Sequence, residues 1–315
     1  DQRGGKEGSG RVRKISTNKM KKAPIVFIAH NRPDYFIQCV NSLAGQCEDR
    51  EVFCFIDGPR QPEQDHQYHY LRWYHDLPNI EKCRQICQKA IPKAQIFMER
   101  KNLGIGLMLQ KARGKVFGTD EFIIIVEDDC VFRPYYMKQL DRLIDLFKED
   151  ERIAMINCGG HSGSAHSYTS QKENKDVLVQ LGRMHTYAMR RSSYEAISDI
   201  MNGYWGLIKE ARTYKDRPEE KIKQYMSAFG AANNLASSQD SCVQSALVSK
   251  GLVGISTYTC NYKYIGEWGE HSFPELFNKM GFPRHKPYDK YQHDFVWNEE
   301  VFLKIKKEHE RRFLK

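Results

Sequence analysis

Three adjacent carboxylates, Glu127, Asp128 and Asp129, follow directly on an apolar run at residues 122–126 in the stretch EFIIIVEDDCVF. Buried without partners, each charge would cost several kcal/mol, so three together call for a cation or for water. Carboxylate oxygens at this spacing suit Mg2+ or Mn2+, hard ions that keep part of their water and share a substrate's phosphates. A diphosphate is then the natural co-ligand. The plainer reading is a solvated acidic turn at a strand end.

Asp240 is the second carboxylate of interest. It stands in Ser-Ser-Gln-Asp-Ser at the start of a helical pattern, where the helix dipole favours a negative charge and where an N-cap aspartate would also be at home. His271 follows the glycine-rich turn GEWGE, which could bring an imidazole to a metal or a diphosphate. Trp268, Tyr264 and Trp205 offer aromatic faces for a sugar, or simply core packing. Two familiar phosphate devices are missing: there is no G-x-x-x-x-G-K-[ST] loop and no G-x-G-x-x-G after the first strand, and Gly104-Ile-Gly106 is too short to count. ATPase and dehydrogenase readings therefore have no support.

The elements that must position these residues alternate. Strands are predicted at residues 24–29, 52–56, 95–98, 121–126 and 153–156. Helices are predicted at 35–43, 64–90, 107–117 and 134–147. Strand and helix in alternation make an α/β fold with a mainly parallel sheet flanked by helices. The acidic run, buried on both faces, is its central strand, and the carboxylates fall at the carboxyl end, where such sheets hold ligands. Beyond residue 160 the chain turns polar and irregular, with a strand expected at 177–181, helices at 192–201 and 240–250, a solvated charged stretch at 209–223 and a β-rich segment at 255–264. Residues 1–22, rich in Gly, Ser, Lys and Arg, read as a disordered basic arm or an expression remnant.

Composition bounds the partners. The 315 residues carry a net charge of +9, which favours anionic ligands without choosing among them. The lysines and arginines are spread rather than clustered with stacking aromatics, which argues against a nucleic-acid interface. Nine cysteines with no CxxC pair are expected as buried thiols. No apolar run is long enough to cross a bilayer. Residues 297–315 read as a basic helix with Phe302, Ile305 and Phe313 on one side, which either packs on the domain or makes peripheral contact with an anionic membrane surface.

The segments PIVFIAHNRPDYFIQCVNSL, FIDGPR and RKNLGIGLMLQKARGKVF ahead of VEDD, with SSQDSCVQSALVSKGL and NYKYIGEWGEHS later, resemble GT-A fold glycosyltransferases. The likeness is closest to family 2-like bacterial enzymes and to the N-acetylglucosaminyltransferase I group, whose metal motif is also written EDD. It covers most of residues 23–132 and resumes near the two later segments. The resemblance implies a GT-A domain at 23–285, with a nucleotide-sugar half at 23–160, an acceptor half of loops at 161–285, and a C-terminal basic helical tail at 286–315.

It implies further that Ala29, His30 and Arg32 lie against the base and ribose, that Asp57 bonds the base, and that Asn102 and Gly104 border the ribose, with Lys111 available to phosphate. Asp128 would touch the ribose or donor sugar, Asp129 and His271 would bind Mn2+ or Mg2+, and Glu127 would support them. Asp240 would be the base, although Gln239 replaces the acidic residue that often precedes it. Trp268 and Tyr264 would face the acceptor, as would the segment 185–191, of which only Ala188 and Arg190 or Arg191 keep the family's flavour. The implied activity is an inverting, metal-dependent transfer from a nucleotide sugar, UDP-linked, to a glycan, glycolipid or protein.

Such chemistry needs charge neutralised on the leaving diphosphate and a base for the acceptor hydroxyl. A sugar-nucleotide pyrophosphorylase is the other enzyme reading, but His30-Asn31-Arg32-Pro33 stands where its glycine-rich loop belongs. A carbohydrate-binding protein without catalysis is the non-enzyme reading. The compartment is expected to be cytoplasmic or, had an N-terminal anchor been removed, the Golgi or secretory lumen.

Overall fold

Apolar residues alternate between two faces along the central strands, and each face has its own core. On β1 (Ile25–Ala29), Ile25 and Phe27 point to one core while Val26 and Ile28 point to the other. On β4 (Phe122–Glu127), Phe122, Ile124 and Val126 share the first core while Ile123 and Ile125 share the second. This two-residue period is what a sheet covered on both sides requires. Each fully buried Ile contributes about 2 kcal/mol of burial, so a charge placed at Ile124 would undo the centre of the fold. The structure, a computed structural model, describes residues 21–47, 49–60, 76–118, 120–160, 167–211, 214–269 and 272–315.

The main sheet adds β2 (Val52–Ile56), β3 (Gln95–Met98), β6 (Ile153–Asn157), β7 (Leu178–Gln180), β8 (Thr186–Arg190) and β9 (Val253–Thr257), in the order β3-β2-β1-β4-β8-β6-β9-β7. Strands β3, β2, β1 and β4 run parallel, as do β6 and β9. Strand β8 lies antiparallel between β4 and β6, and β7 is antiparallel to β9. The fold class is thus mixed α/β with a mostly parallel central sheet flanked by helices, as expected.

On the first face pack α1 (Pro33–Leu43), α2 (Asp76–Ala90), α4 (Tyr136–Phe147) and part of α11 (Glu299–Phe313). On the second lie α3 (Gly104–Val116), α7 (Ser198–Ile208), α8 (Glu219–Ser227) and α9 (Gln239–Ser249). The described residues also form the short helices α5 (Tyr168–Glu173), α6 (Arg191–Ala196) and α10 (Pro274–Lys279).

Several expectations change in detail. The stretch 121–132 is two strands: the chain turns at Asp128 and Asp129, and β5 (Cys130–Phe132) leaves the main sheet to form an antiparallel ribbon with β10 (Tyr262–Tyr264). The helix expected at 192–201 is broken at Ile197 into α6 and α7. The segment around 185–191 supplies the buried strand β8, so Ala188, 0% exposed, is core and not an acceptor surface. Arg190 is likewise turned inward, donating to the carbonyls of Phe147 and Ile153 and pairing with Glu121.

The C-terminal helix buries Phe302, Ile305 and Phe313 against the domain. His309 on the same side bonds the Gly254 carbonyl at 2.7 Å. Its apolar face is therefore spent on the core, the packing alternative of the two expected. The nine cysteines are all buried free thiols. Among the described residues no helix is long and apolar enough to cross a membrane. Residues 1–20 and 61–75, in which the arm and part of an expected helix fall, lie outside the described residues.

Candidate active site

Strand order reverses between β1 and β4, the place where an open α/β sheet leaves a crevice beyond its strand ends. Ile28 pairs with Glu127 in register, so the residues that follow each strand, His30 to Arg32 and Asp128 to Asp129, emerge side by side. Pro33 at the first turn of α1 ends the β1 connection sharply, as proline does at a helix start. A cavity of about 1100 Å3 opens above this point. Ala29, His30, Arg32, Asp57, Asn102, Gly104, Glu127, Asp128, Asp129, Asp240, Tyr264 and Trp268 all line it, so the fold brings nearly every expected site residue together.

One does not join them. Lys111 is not among the lining residues; it is half exposed and pairs with Glu99 at 2.5 Å. The helix α3 turns it outward, which corrects the phosphate role. His271 lies outside the described residues.

Charge dominates the reversal point. The Arg32 guanidinium binds both oxygens of Asp128, reaches Asp129 Oδ2 at 2.9 Å, and donates from Nη1 to the Trp268 carbonyl at 3.1 Å. Asp128 and Asp129 are each only 3% exposed. Burial works against the Arg32 charge, but Asp128 and Asp129 overcome it and hold the guanidinium well above its usual value. Asp128 nonetheless moves the other way from a well-paired acid: burial pushes it up to about 6 in spite of Arg32, and Asp129 adds to the rise. Glu127 is driven well up by burial, then by Asp129 and Asp240.

One cation shared among three acids leaves the cluster short of positive charge. Asp129 Oδ1 is also buried with no hydrogen-bond partner. A buried carboxylate oxygen without a hydrogen-bond donor is a charge that a divalent ion would satisfy, and the oxygen-rich residues present fit one. Among the described residues no group of three or more His, Cys, Asp or Glu side chains could hold a metal, so a substrate's oxygens and water would have to complete the shell.

Two distant parts of the chain close over the pair. The β5/β10 ribbon sets Tyr264 opposite Cys130, and Ile265 N donates to the Asp129 carbonyl at 2.8 Å. Gly266 is required there: a Cβ would run into Asp129 Oδ2 and would stand 2.5 Å from the Tyr264 hydroxyl. The Tyr264 ring stacks on His185 with centroids 4.2 Å apart, and burial lowers His185 to about 4, so its imidazole is neutral. His185, which also lines the cavity, carried no individual signal in the sequence. On the other side α9 brings Asp240. Ser238, not Asp240, is the N-cap, its hydroxyl accepting from Ser241 N at 3.2 Å. Asp240 is thereby released from capping, and burial raises its carboxyl to about 6, with Arg113, Gln239 and Arg217 pulling the other way.

The β1 and β2 ends form a third group. Asp57 accepts from the backbone N–H groups of Gly58, Leu103 and Gly104 at 2.8, 2.8 and 2.9 Å, and from the Asn102 amide at 2.9 Å. Four donors fill a carboxylate, so Asp57 acts here as a clamp that shapes the 102–104 loop. Burial still lifts it to about 7 against those bonds. Gly104 needs its glycine, with φ at 75°. His30 Nε2 donates to the Gly58 carbonyl at 2.9 Å and Nδ1 accepts from Arg60 at 3.2 Å, which assigns the tautomer. Burial and the Arg60 charge hold His30 well below its usual value, hence neutral. Asp76, unmarked in the sequence, ties this corner together by accepting from Asn31 Nδ2 at 2.5 Å and Arg60 N at 3.0 Å. Trp205, by contrast, is core.

No protein-family model matches the chain, and no curated protein does. Among solved structures, the chain is similar to glucosyl-3-phosphoglycerate synthase from Mycobacterium tuberculosis in complex with Mn2+, UDP and glucosyl-3-phosphoglycerate, at 12% identity over 56% of this chain and 59% of that one, TM-score 0.35. A glycosyltransferase involved in glycosylation of the major capsid of PBCV-1 is similar at 16% identity, 65% and 74% coverage, TM-score 0.33. So is 4-diphosphocytidyl-2C-methyl-D-erythritol synthase from Anaerococcus prevotii, at 8%, 66% and 82%, TM-score 0.36. The chain spans 59% of the length of the first of these. Identities and TM-scores are low, and no activity carries over from them.

Proposed function

We propose that the chain is a metal-dependent, inverting glycosyltransferase of the GT-A type, moving a sugar from a UDP-linked donor to a hydroxyl of a glycan, glycolipid or protein. The observation that carries this reading is the charge shortfall at the strand reversal, where Asp129 keeps a buried, unpartnered Oδ1 and lines the same cavity as Asp240. Asp129 would hold Mn2+ or Mg2+, with Asp128 toward the donor, Glu127 in support and His271 as the expected second ligand. Such an ion, when bound, neutralises the charge that develops on a leaving diphosphate.

The chain's own residues do the rest. Neutral His30, Ala29 and the 102–104 loop held by Asp57 offer the base and ribose a preformed wall, which lowers the ordering cost of binding. Tyr264 and Trp268 stand on the acceptor side. Asp240 takes the proton of the acceptor hydroxyl as that oxygen bonds to the anomeric carbon and the bond from that carbon to the phosphate oxygen breaks. The products are the glycosylated acceptor, UDP and protonated Asp240. A carboxyl near 6 is mostly ionised at neutral pH yet basic enough to accept a proton.

Calorimetry with UDP across a Mn2+ titration tests the metal assignment. Asp129→Ala should abolish the Mn2+-dependent part of UDP binding, and an unchanged affinity would sink it. A nucleotidyltransferase in its place would consume a nucleoside triphosphate and release inorganic diphosphate, which the same preparation can be assayed for.

A further inference from the structure

The charged stretch around residue 217 has no role in the site as read so far, yet one of its side chains turns inward. Arg217 Nη1 donates to the Gln239 side-chain carbonyl at 3.1 Å and to the Tyr204 hydroxyl at 3.2 Å. Tyr204 in turn donates to the Ser237 carbonyl at 2.9 Å, one residue before the α9 cap. The guanidinium also lies over the Tyr214 ring at 4.2 Å. A guanidinium has no acceptor, so it fixes which end of the Gln239 amide it meets: the oxygen. The nitrogen is left to face Asp240, and Gln239 Nε2 donates to Asp240 Oδ1 at 3.4 Å. Gln239 itself is 5% exposed and lines the cavity beside Asp240.

We propose that Gln239, oriented by Arg217, is the positioning residue for the Asp240 carboxylate, holding Oδ1 and leaving Oδ2 to meet the acceptor hydroxyl. The inference rests on the reading of Asp240 as base. Its physical content is twofold. A hydrogen bond to the charged form favours that form, and a fixed rotamer keeps the free oxygen aimed into the cavity. An acidic residue at position 239 would pair with Arg217 but could not donate to Asp240, so the glutamine is the part that lets one cation act on the base at one remove.

Other groups face Asp240 and set the background. They are Arg113 of α3, Glu127 of β4, Tyr187 of β8 and Tyr204 of α7. Tyr214, and Cys242 on α9 itself, also face it. None of these changes in the test. The variants are Gln239→Met, which keeps the volume and loses the amide, and Arg217→Gln, which frees the amide to rotate. Arg217→Gln also removes that cation's direct pull on Asp240, so Gln239→Met, which keeps Arg217, is the variant that decides.

The first readout needs no donor. The stabilisation gained by Asp240→Asn, followed by thermal unfolding against pH, levels off at the folded-state pKa of Asp240; in the Gln239→Met background that point should move up by about half a unit. The second is UDP release from UDP-glucose, UDP-galactose and UDP-N-acetylglucosamine with Mn2+ and water as acceptor. Turnover should fall about 5- to 10-fold, the loss expected of one ordinary hydrogen bond, since the 3.4 Å contact is long for a charge-assisted one, with UDP affinity unchanged. Arg217→Lys, which can still donate to Gln239, should recover part of it. An unmoved levelling point in Gln239→Met overturns the proposal, as does a loss confined to UDP affinity. Full turnover in Asp240→Asn overturns the base assignment itself and the inference with it, whereas loss there with no effect at Gln239 overturns the inference alone.

Discussion

Arg32 supplies the sharpest test of the acidic cluster, because it stands where a metal ion would compete. In Arg32→Met the bonds to Asp128 and Asp129 disappear and two carboxylates, 3% exposed each, lose their cation. Breaking a buried pair by removing one partner costs about 3–5 kcal/mol. The Arg32 side chain is 28% exposed, so solvent screens part of that interaction. About 2–3 kcal/mol is the reasonable expectation after that discount. For a chain of this size the thermal midpoint in EDTA should then fall by roughly 3–5 °C.

The same loss is the driving force for metal. A divalent ion relieves the repulsion that the missing guanidinium left behind, and in the variant it need not displace Arg32 from Asp129 Oδ2. Relief of about 1.4–2.8 kcal/mol corresponds to Mn2+ binding about 10- to 100-fold tighter than in the parent without nucleotide. Thermal unfolding across a Mn2+ titration reads both effects in one experiment. The midpoint of Arg32→Met should start lower, climb more steeply, and approach that of the parent. If Mn2+ leaves the variant as unstable as EDTA does, the carboxylates do not form a cation site and the reasoning fails.

Two further outcomes follow from the same geometry. Asp240→Asn should be inactive yet more stable. The folded-state pKa, near 6, lies above the unfolded value, so the native parent holds extra protons between about pH 4 and 6 and loses stability as pH rises through that window. The advantage of the Asn variant therefore grows from nothing near pH 4 to about 1–3 kcal/mol above pH 6, and a constant difference across pH would contradict it. Gly266→Ala should cripple metal-dependent UDP binding while leaving the sheet folded, since the new methyl falls on Asp129 Oδ2 and the Tyr264 hydroxyl. Near-normal affinity by calorimetry would mean that the ribbon can back away at little cost.

The central sheet was legible because its signal is a continuous apolar run between turn residues: five successive buried residues in β4, shared between two cores, leave little else for that run to be. The acidic turn and Asp240 were legible because carboxylates after an apolar strand, or at a helix start, are chemically conspicuous. Other features were hidden by averaging. Arg217 sits in a stretch whose composition reads as solvated, and nothing local marks it as a charged side chain that turns inward. Strand β8 was hidden because Thr, Tyr, Ala, Met and Arg alternate in no clear pattern when both faces are covered and the arginine finds carbonyls to satisfy it. Asp57 shows the converse. The residue was conspicuous, but its partners arrive from the 102–104 loop, and only the fold reveals that its oxygens are already engaged.

What joins the early and late parts of the site is also a matter of shared partners. Arg32 and Tyr35, at the start of α1, hold the flap that carries Trp268 by its carbonyl and its N–H, the latter donating to the Tyr35 hydroxyl at 3.0 Å. The same guanidinium stacks over the Tyr35 ring at 5.4 Å and binds the acidic pair. Charge at the carboxylates and the position of the flap are thus tied through one side chain. A cation that takes Asp129 from Arg32 leaves that guanidinium with Asp128 and the Trp268 carbonyl as its remaining partners. The flap beside the cavity therefore has its anchoring strength set, in part, by what occupies the carboxylates at the end of β4.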